Sequence, residues 1–192
     1  MKVNNQSDIA KHKPSESEVA KLEQSDAQKR EVKKLVLLPD LLYKAQIPSH
    51  LVGFIKDIFE PEPDGNCDFQ CVAKAVGYNK DGWFQVRKEM VKEILAKKDL
   101  YSKLQVKGKI INKIVAGLNM KTLKTKAGRT KWFEKLSHGQ VLSNAIIRPV
   151  FFVLLPTCDP YLPLRLGPDN SQDPDPIYML HVNKNHWFLV NI

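Results

Sequence analysis

Four residues, Asp64-Gly65-Asn66-Cys67, constrain this chain more than any other stretch. Asp, Gly and Asn are turn formers, and the apolar positions that follow (Phe69, Val72, Ala73, Val76) have helical spacing. The spacing predicts a tight loop feeding a helix, with Cys67 at or near the helix N-terminus. There the macrodipole and the unpaired backbone N–H groups favour thiolate over thiol, which suits a nucleophile. The same N–H groups, with those of the Gly65-Asn66 turn, are placed to receive an oxyanion, and Gly65 permits the backbone geometry such a loop needs. A cysteine nucleophile needs a distant histidine, and the C-terminal stretch Asn185-His186-Trp187-Phe188-Leu189-Val190 provides one at the start of an apolar strand pattern.

Asp-Gly-Asn-Cys followed by a residue and an aromatic (Phe69) resembles the nucleophile motif of the OTU (ovarian tumour) cysteine proteases, which cleave ubiquitin conjugates. His186 followed by Trp187 resembles that family's closing strand. The resemblance covers about residues 47–192. It extends through Trp83, Val86-Arg87, Trp132, Gly139, Arg148-Pro149-Val150 and the Pro163-Leu164-Arg165 stretch, in a pattern similar to the branch found in plant and fungal mobile-element-related proteins. It implies an α+β, papain-like fold with a small central β-sheet packed between helices. It also implies a deubiquitinase acting on ubiquitin or a ubiquitin-like modifier, with catalytic residues Cys67, His186 and Asp64 and no cofactor or metal. Cys67 would attack the carbonyl after the Gly-Gly end of the modifier to give a thioester, with His186 as general base and then acid.

The chain has 192 residues, enough for one sizeable core plus a tail. No apolar run approaches the ~20 residues of a membrane span. The polar N-terminus has no signal-peptide core, so a cytoplasmic or nuclear location is expected. Three cysteines make no disulfide framework. The net charge of +9 is concentrated in residues 84–135, with 15 Lys/Arg against 4 Asp/Glu. Such a surplus attracts nucleic acid or acidic protein surfaces, or else forms the solvated faces of helices.

Residues 1–46 read as a polar, disordered or loosely helical tail with capping-box spacing at Ser15 and Glu18, and residues 47–192 as the domain. Leu51, Phe54, Ile55 and Ile58 have helical spacing. Trp83 to Leu95 predicts a helix of about 15 residues, and Ile110 to Leu118 a shorter one. Residues 121–131 read as an exposed loop, and the family resemblance implies a further helix started by Gly139. Residues 150–155 predict a buried strand, 167–176 a surface loop, and 177–182 and 186–192 two strands joined by a tight Asn-rich turn.

Several positions admit two readings. Many OTU domains carry Asn or Asp two residues after the histidine; here Phe188 stands there and cannot orient an imidazole. Asp64 is then either an active-site acid or a shaper of the loop, with Asn183 and Asn191 as weaker candidates. Asp68, beside the nucleophile, raises the thiol pKa while complementing the helix dipole. Cys67 also reads as a small buried filler, Cys71 as core, and His181 as a strand residue at the sheet surface. Cys67, Cys71, Cys158 and His186 are zinc-ligand types without a paired Cys-x-x-Cys. Trp187 either lines the channel for a Gly-Gly tail or packs the sheet. Two alternatives remain beside the protease: a weak or inactive OTU domain that binds ubiquitin, and a mobile-element-derived nucleic-acid-associated protein.

Overall fold

The computed structural model describes residues 44–104, 108–123, 126–154, 157–165, 174–183 and 185–192. The expected tail with its Ser15/Glu18 capping box, and most of the loop expected at 167–176, lie outside the described residues.

The apolar run that predicted a buried strand forms the middle of a mixed five-stranded sheet. Its strands are β1 (Asp57–Phe59), β2 (Val150–Leu154), β3 (Thr157–Tyr161), β4 (Ile177–Val182) and β5 (His186–Asn191), in the order β1-β5-β4-β2-β3. β2 and β4 run parallel, and every other neighbouring pair is antiparallel. Val150, Phe152 and Val153 are all buried, as a continuous apolar run requires when both faces of its strand are covered. β3 was not visible in the sequence pattern because Pro160 interrupts it; as an edge strand it has no neighbour beyond it to receive that missing N–H.

Helix α1 (Ser49–Val52) is a single turn, shorter than the spacing of Leu51, Phe54, Ile55 and Ile58 predicted. Strand pairing overrides helical spacing here: Ile58 is opposite Val190 and Phe59 opposite Leu189. Helix α2 (Cys67–Ala75) lies between β5 and the long helix α3 (Gly82–Ala96), and is buried nearly all round. Trp83, Val86, Met90 and Ile94 of α3 are buried at the predicted spacing. Helices α4 (Lys98–Leu104) and α5 (Gly108–Leu118) follow, and α6 (Lys135–Ile146) packs on α3 and β2. α6 starts four residues before Gly139, the expected start. Gly139 is instead mid-helix where the Tyr161 ring crosses, and an added Cβ would lie 2.7 Å from that ring. The mixture of helices with one sheet is the α+β class expected from the sequence.

Part of the basic surplus is tied into the fold, while Lys88, Lys92, Lys98, Lys103, Lys113, Lys121, Lys126 and Arg129 are exposed. The Arg87 guanidinium is buried, Lys131 donates to the carbonyls of Ala116 and Asn119 near the end of α5, and Lys135 is paired with Asp159. Arg165, in the Pro-Leu-Arg stretch, pairs with buried Glu93, which also accepts from the Tyr101 hydroxyl at 3.0 Å. Among the described residues no helix is long and apolar enough to cross a membrane.

Candidate active site

The nucleophile loop is built by Asp64. Its Oδ1 accepts from the Asn66 backbone N–H at 2.8 Å and from Gln70 Nε2 at 2.9 Å, and its Oδ2 from Asn66 Nδ2 at 3.2 Å. The Asp64 carboxylate is therefore engaged by its own loop and by the helix it starts. Gly65 takes φ +83°, and a Cβ there would lie 2.3 Å from the Ala127 carbonyl. Residues 126–132 cover this turn: Ala127 N–H donates to the Asp64 carbonyl at 3.0 Å, and Trp132 Nε1 to the Ala127 carbonyl at 3.0 Å. The stretch expected as an exposed loop is thus partly a roof over the turn, with Ala127 buried.

Behind the turn, Asn66 is fully buried and its Oδ1 accepts from Arg87 Nε at 3.1 Å and Nη2 at 2.8 Å. Arg87 also donates to the carbonyls of Gly117 and Lys131, and lies 3.8 Å from the centroid of the Phe69 ring. One guanidinium from α3 so ties together the nucleophile turn, the nucleophile helix, the end of α5 and the roof segment. The Asn66 N–H, once a candidate oxyanion donor, is already donated to Asp64.

Cys67 is the first residue of α2 and is buried. Burial, and then the Asp68 carboxylate, push its thiol up to about 12, against the backbone N–H groups of Trp187 and Asp68 that favour the thiolate. The helix N-terminus alone predicted the opposite direction; burial outweighs it. Asp68 points back into the protein and accepts from the N–H groups of Phe69 (2.8 Å) and Phe133 (3.0 Å). Burial raises it to about 7 in spite of Arg87 and these donors.

His186 is the first residue of β5, and the backbone of the next residue, Trp187, is the group hydrogen-bonded to Cys67. Cys67 and His186 share one cleft of about 390 Å3, with Gly65, Trp132, Phe133 and Trp187 in its walls. Among the described residues, no direct hydrogen bond joins the thiol and the imidazole. Burial lowers the His186 pKa, and Glu60 opposes it. Burial thus favours the neutral form of both groups.

Phe188 is buried on the same face of β5 as His186, with the two rings edge to face at 5.1 Å. Asn191 is at the far end of β5, and the Asn183 side chain accepts from Gln46 Nε2 at 2.7 Å, while Gln46 Oε1 in turn accepts from the Asn183 N–H. Trp187 lines the cleft and packs edge to face on Phe152. His181 is not simply at the sheet surface. It is directly opposite Trp187 in the β4–β5 register, its ring 4.3 Å from the indole, and it lines the same cleft. The expected hairpin turn already implied that pairing, since joining Val182 to His186 puts residue 181 opposite residue 187. Phe133, the other cleft wall, carried no signal of its own. Cys71 Sγ lies 3.5 Å from the Trp187 carbonyl and Cys158 is exposed on β3, the opposite edge of the sheet from β1. Among the described residues no group of three or more metal-ligand side chains forms.

No family model and no curated protein matches the sequence. Among solved structures, the OTU domain of OTUD1 is similar at 20% identity, over 88% of this chain and 99% of that domain, with a TM-score of 0.48.

Proposed function

We propose that this chain is an OTU-type cysteine hydrolase that cleaves the bond after the C-terminal Gly-Gly of ubiquitin or a ubiquitin-like modifier, in the manner of the mobile-element-related branch its sequence resembles. The observation that carries the reading is that Cys67 and His186, from opposite ends of the folded part of the chain, meet in one cleft. Cys67 heads a helix there, on a loop held by Asp64 and Arg87.

In the reaction His186 takes the thiol proton as sulfur attacks the carbonyl carbon. The carbonyl oxygen gains the negative charge, and the N–H groups of Gly65 and Cys67 are the donors left to receive it, Asn66 being engaged. Collapse breaks the C–N bond, and His186 gives its proton to the leaving amine. Water then attacks the thioester, losing a proton to His186, and the S–C bond breaks to return the thiol. Trp187 and His181 form the wall along which a narrow Gly-Gly tail would lie. Asp64 acts on this path by shaping the loop.

A second reading, a domain that binds the modifier without turning it over, draws on Phe188 in place of a polar orienter and on the thiol pKa of about 12. Ubiquitin bearing a C-terminal electrophile tests both. A mass increase of one ubiquitin on the wild type, absent from Cys67→Ala and slowed in His186→Ala, is the expected result. No adduct, with saturable binding of unmodified ubiquitin, would establish the second reading instead. Neither adduct nor binding would dismiss both.

A further inference from the structure

The position two residues after His186 on β5 holds Phe188, not a polar residue that could orient an imidazole. The ring contact from Phe188 constrains the imidazole plane but provides neither a hydrogen-bond acceptor nor a charge. A replacement has to come from another element, and the sheet register says which. β1 pairs Ile58 with Val190 and Phe59 with Leu189. Continued by one residue, that register puts Glu60 opposite Phe188. Directly opposed residues of antiparallel strands share a face, and so do residues two apart on one strand. Glu60, Phe188 and His186 therefore share one face, with Glu60 diagonal to the histidine.

Resting on the proposed Cys67–His186 chemistry, we infer that Glu60, the residue after edge strand β1, is the acidic positioning residue for His186, in the role that the Phe188 position has elsewhere. Glu60 lines the same cleft as His186 and Cys67. The other titratable groups around the cleft are differently engaged. Asp64 is bound by Asn66 and Gln70, Asp68 by two backbone N–H groups, and His181 is stacked on Trp187. Among the described residues, Glu60 is the charge that favours the imidazolium at His186, where burial opposes it. Because Glu60 is exposed, its effect is that of a surface charge, several orders of magnitude short of a buried triad carboxylate.

The test is Glu60→Gln in the full chain, with Glu60→Asp as the conservative partner. The histidine ring protons are followed by NMR across the acid range, and the rate of the ubiquitin electrophile is resolved into kinact and KI. The His186 midpoint should move down in Glu60→Gln and return part of the way in Glu60→Asp. kinact should fall about two- to fivefold with KI unchanged. An unmoved His186 midpoint overturns the inference. So does a rise in KI with kinact intact, which would make Glu60 a contact for the modifier tail. If the wild type takes no adduct the proposed activity fails, yet the NMR midpoints still decide whether Glu60 acts on His186.

Discussion

The two halves of the candidate site are built to different standards. On the nucleophile side, Asp64, Asn66 and Arg87 form a closed set of buried or half-buried hydrogen bonds that reaches into four segments of the chain. On the histidine side, His186 has a ring contact, a strand and an exposed carboxylate. Neighbouring Asn183 is bound to Gln46 at the leading edge of the described residues. The difference teaches that preorganisation is concentrated where backbone geometry is hard to hold. A positive-φ turn feeding a helix N-terminus needs its polar groups satisfied internally, whereas a strand holds its first residue through the ladder.

The strongest way to break this comparison is to attack the nucleophile side at Arg87. Arg87→Ala leaves Asn66 Oδ1 and two backbone carbonyls without this donor and removes the nearby cation that favours the Asp68 carboxylate, and should lower stability by about 3–5 kcal/mol. Glu60→Gln should change stability by under about 1 kcal/mol. Urea unfolding of the two variants side by side is the measurement, and equal losses would contradict the asymmetry. Phe188→Asn comes next: it restores an amide beside His186 but truncates a buried ring, at a cost of about 3 kcal/mol in the same assay. Gly65→Ala should lose about 1–3 kcal/mol and most of the labelling at Cys67, because the turn must move away from the Ala127 carbonyl.

The smallest effect is a pH dependence. Asp68 titrates at about 7 in the folded chain because it is buried, above the ~3.9 of an unfolded aspartate. Folding therefore takes up a proton between those values. The stability Asp68 confers is full below about pH 4 and is lost as pH rises through about 7. His138 has the opposite sign. Burial lowers it to about 4, so its contribution is present above about pH 6.5 and is lost as pH falls. His138, His181 and His186, all lowered by burial, act in the opposite sense, so Asp68 is isolated by comparing urea midpoints of the wild type and Asp68→Asn from about pH 5 to 8. The stability of the wild type relative to Asp68→Asn should fall as pH rises across that interval.

Legibility in the sequence follows the range of the interactions involved. The helix headed by Cys67, the helix from Gly82, the buried strand from Val150 and the β4–β5 hairpin were all visible, since each rests on local spacing or turn chemistry. β3 and the shortness of α1 were not. Pro160 disguised an edge strand, and Leu51 to Ile58 kept helical spacing although pairing with β5 claims the end of that segment. At the site, Cys67, His186 and Trp187 stand out in the sequence and share a cleft; His181 reads locally as a sheet-surface residue, although the hairpin register implies its place beside Trp187. Phe133 and Glu60 had no local signature.

By itself, the sequence determined which residues can carry chemistry: a cysteine after a turn that only glycine accommodates, and a histidine opening an apolar strand. The tertiary structure decided the electrical state of those residues. A thiol expected to be acidic from its place at a helix N-terminus is held protonated, because desolvation depends on what surrounds the sulfur and not on its neighbours in the chain. Asp64 is committed to its own loop and Glu60 lines the cleft that holds His186, because hydrogen-bond partners and chain folding bring together residues that no spacing in the sequence connects.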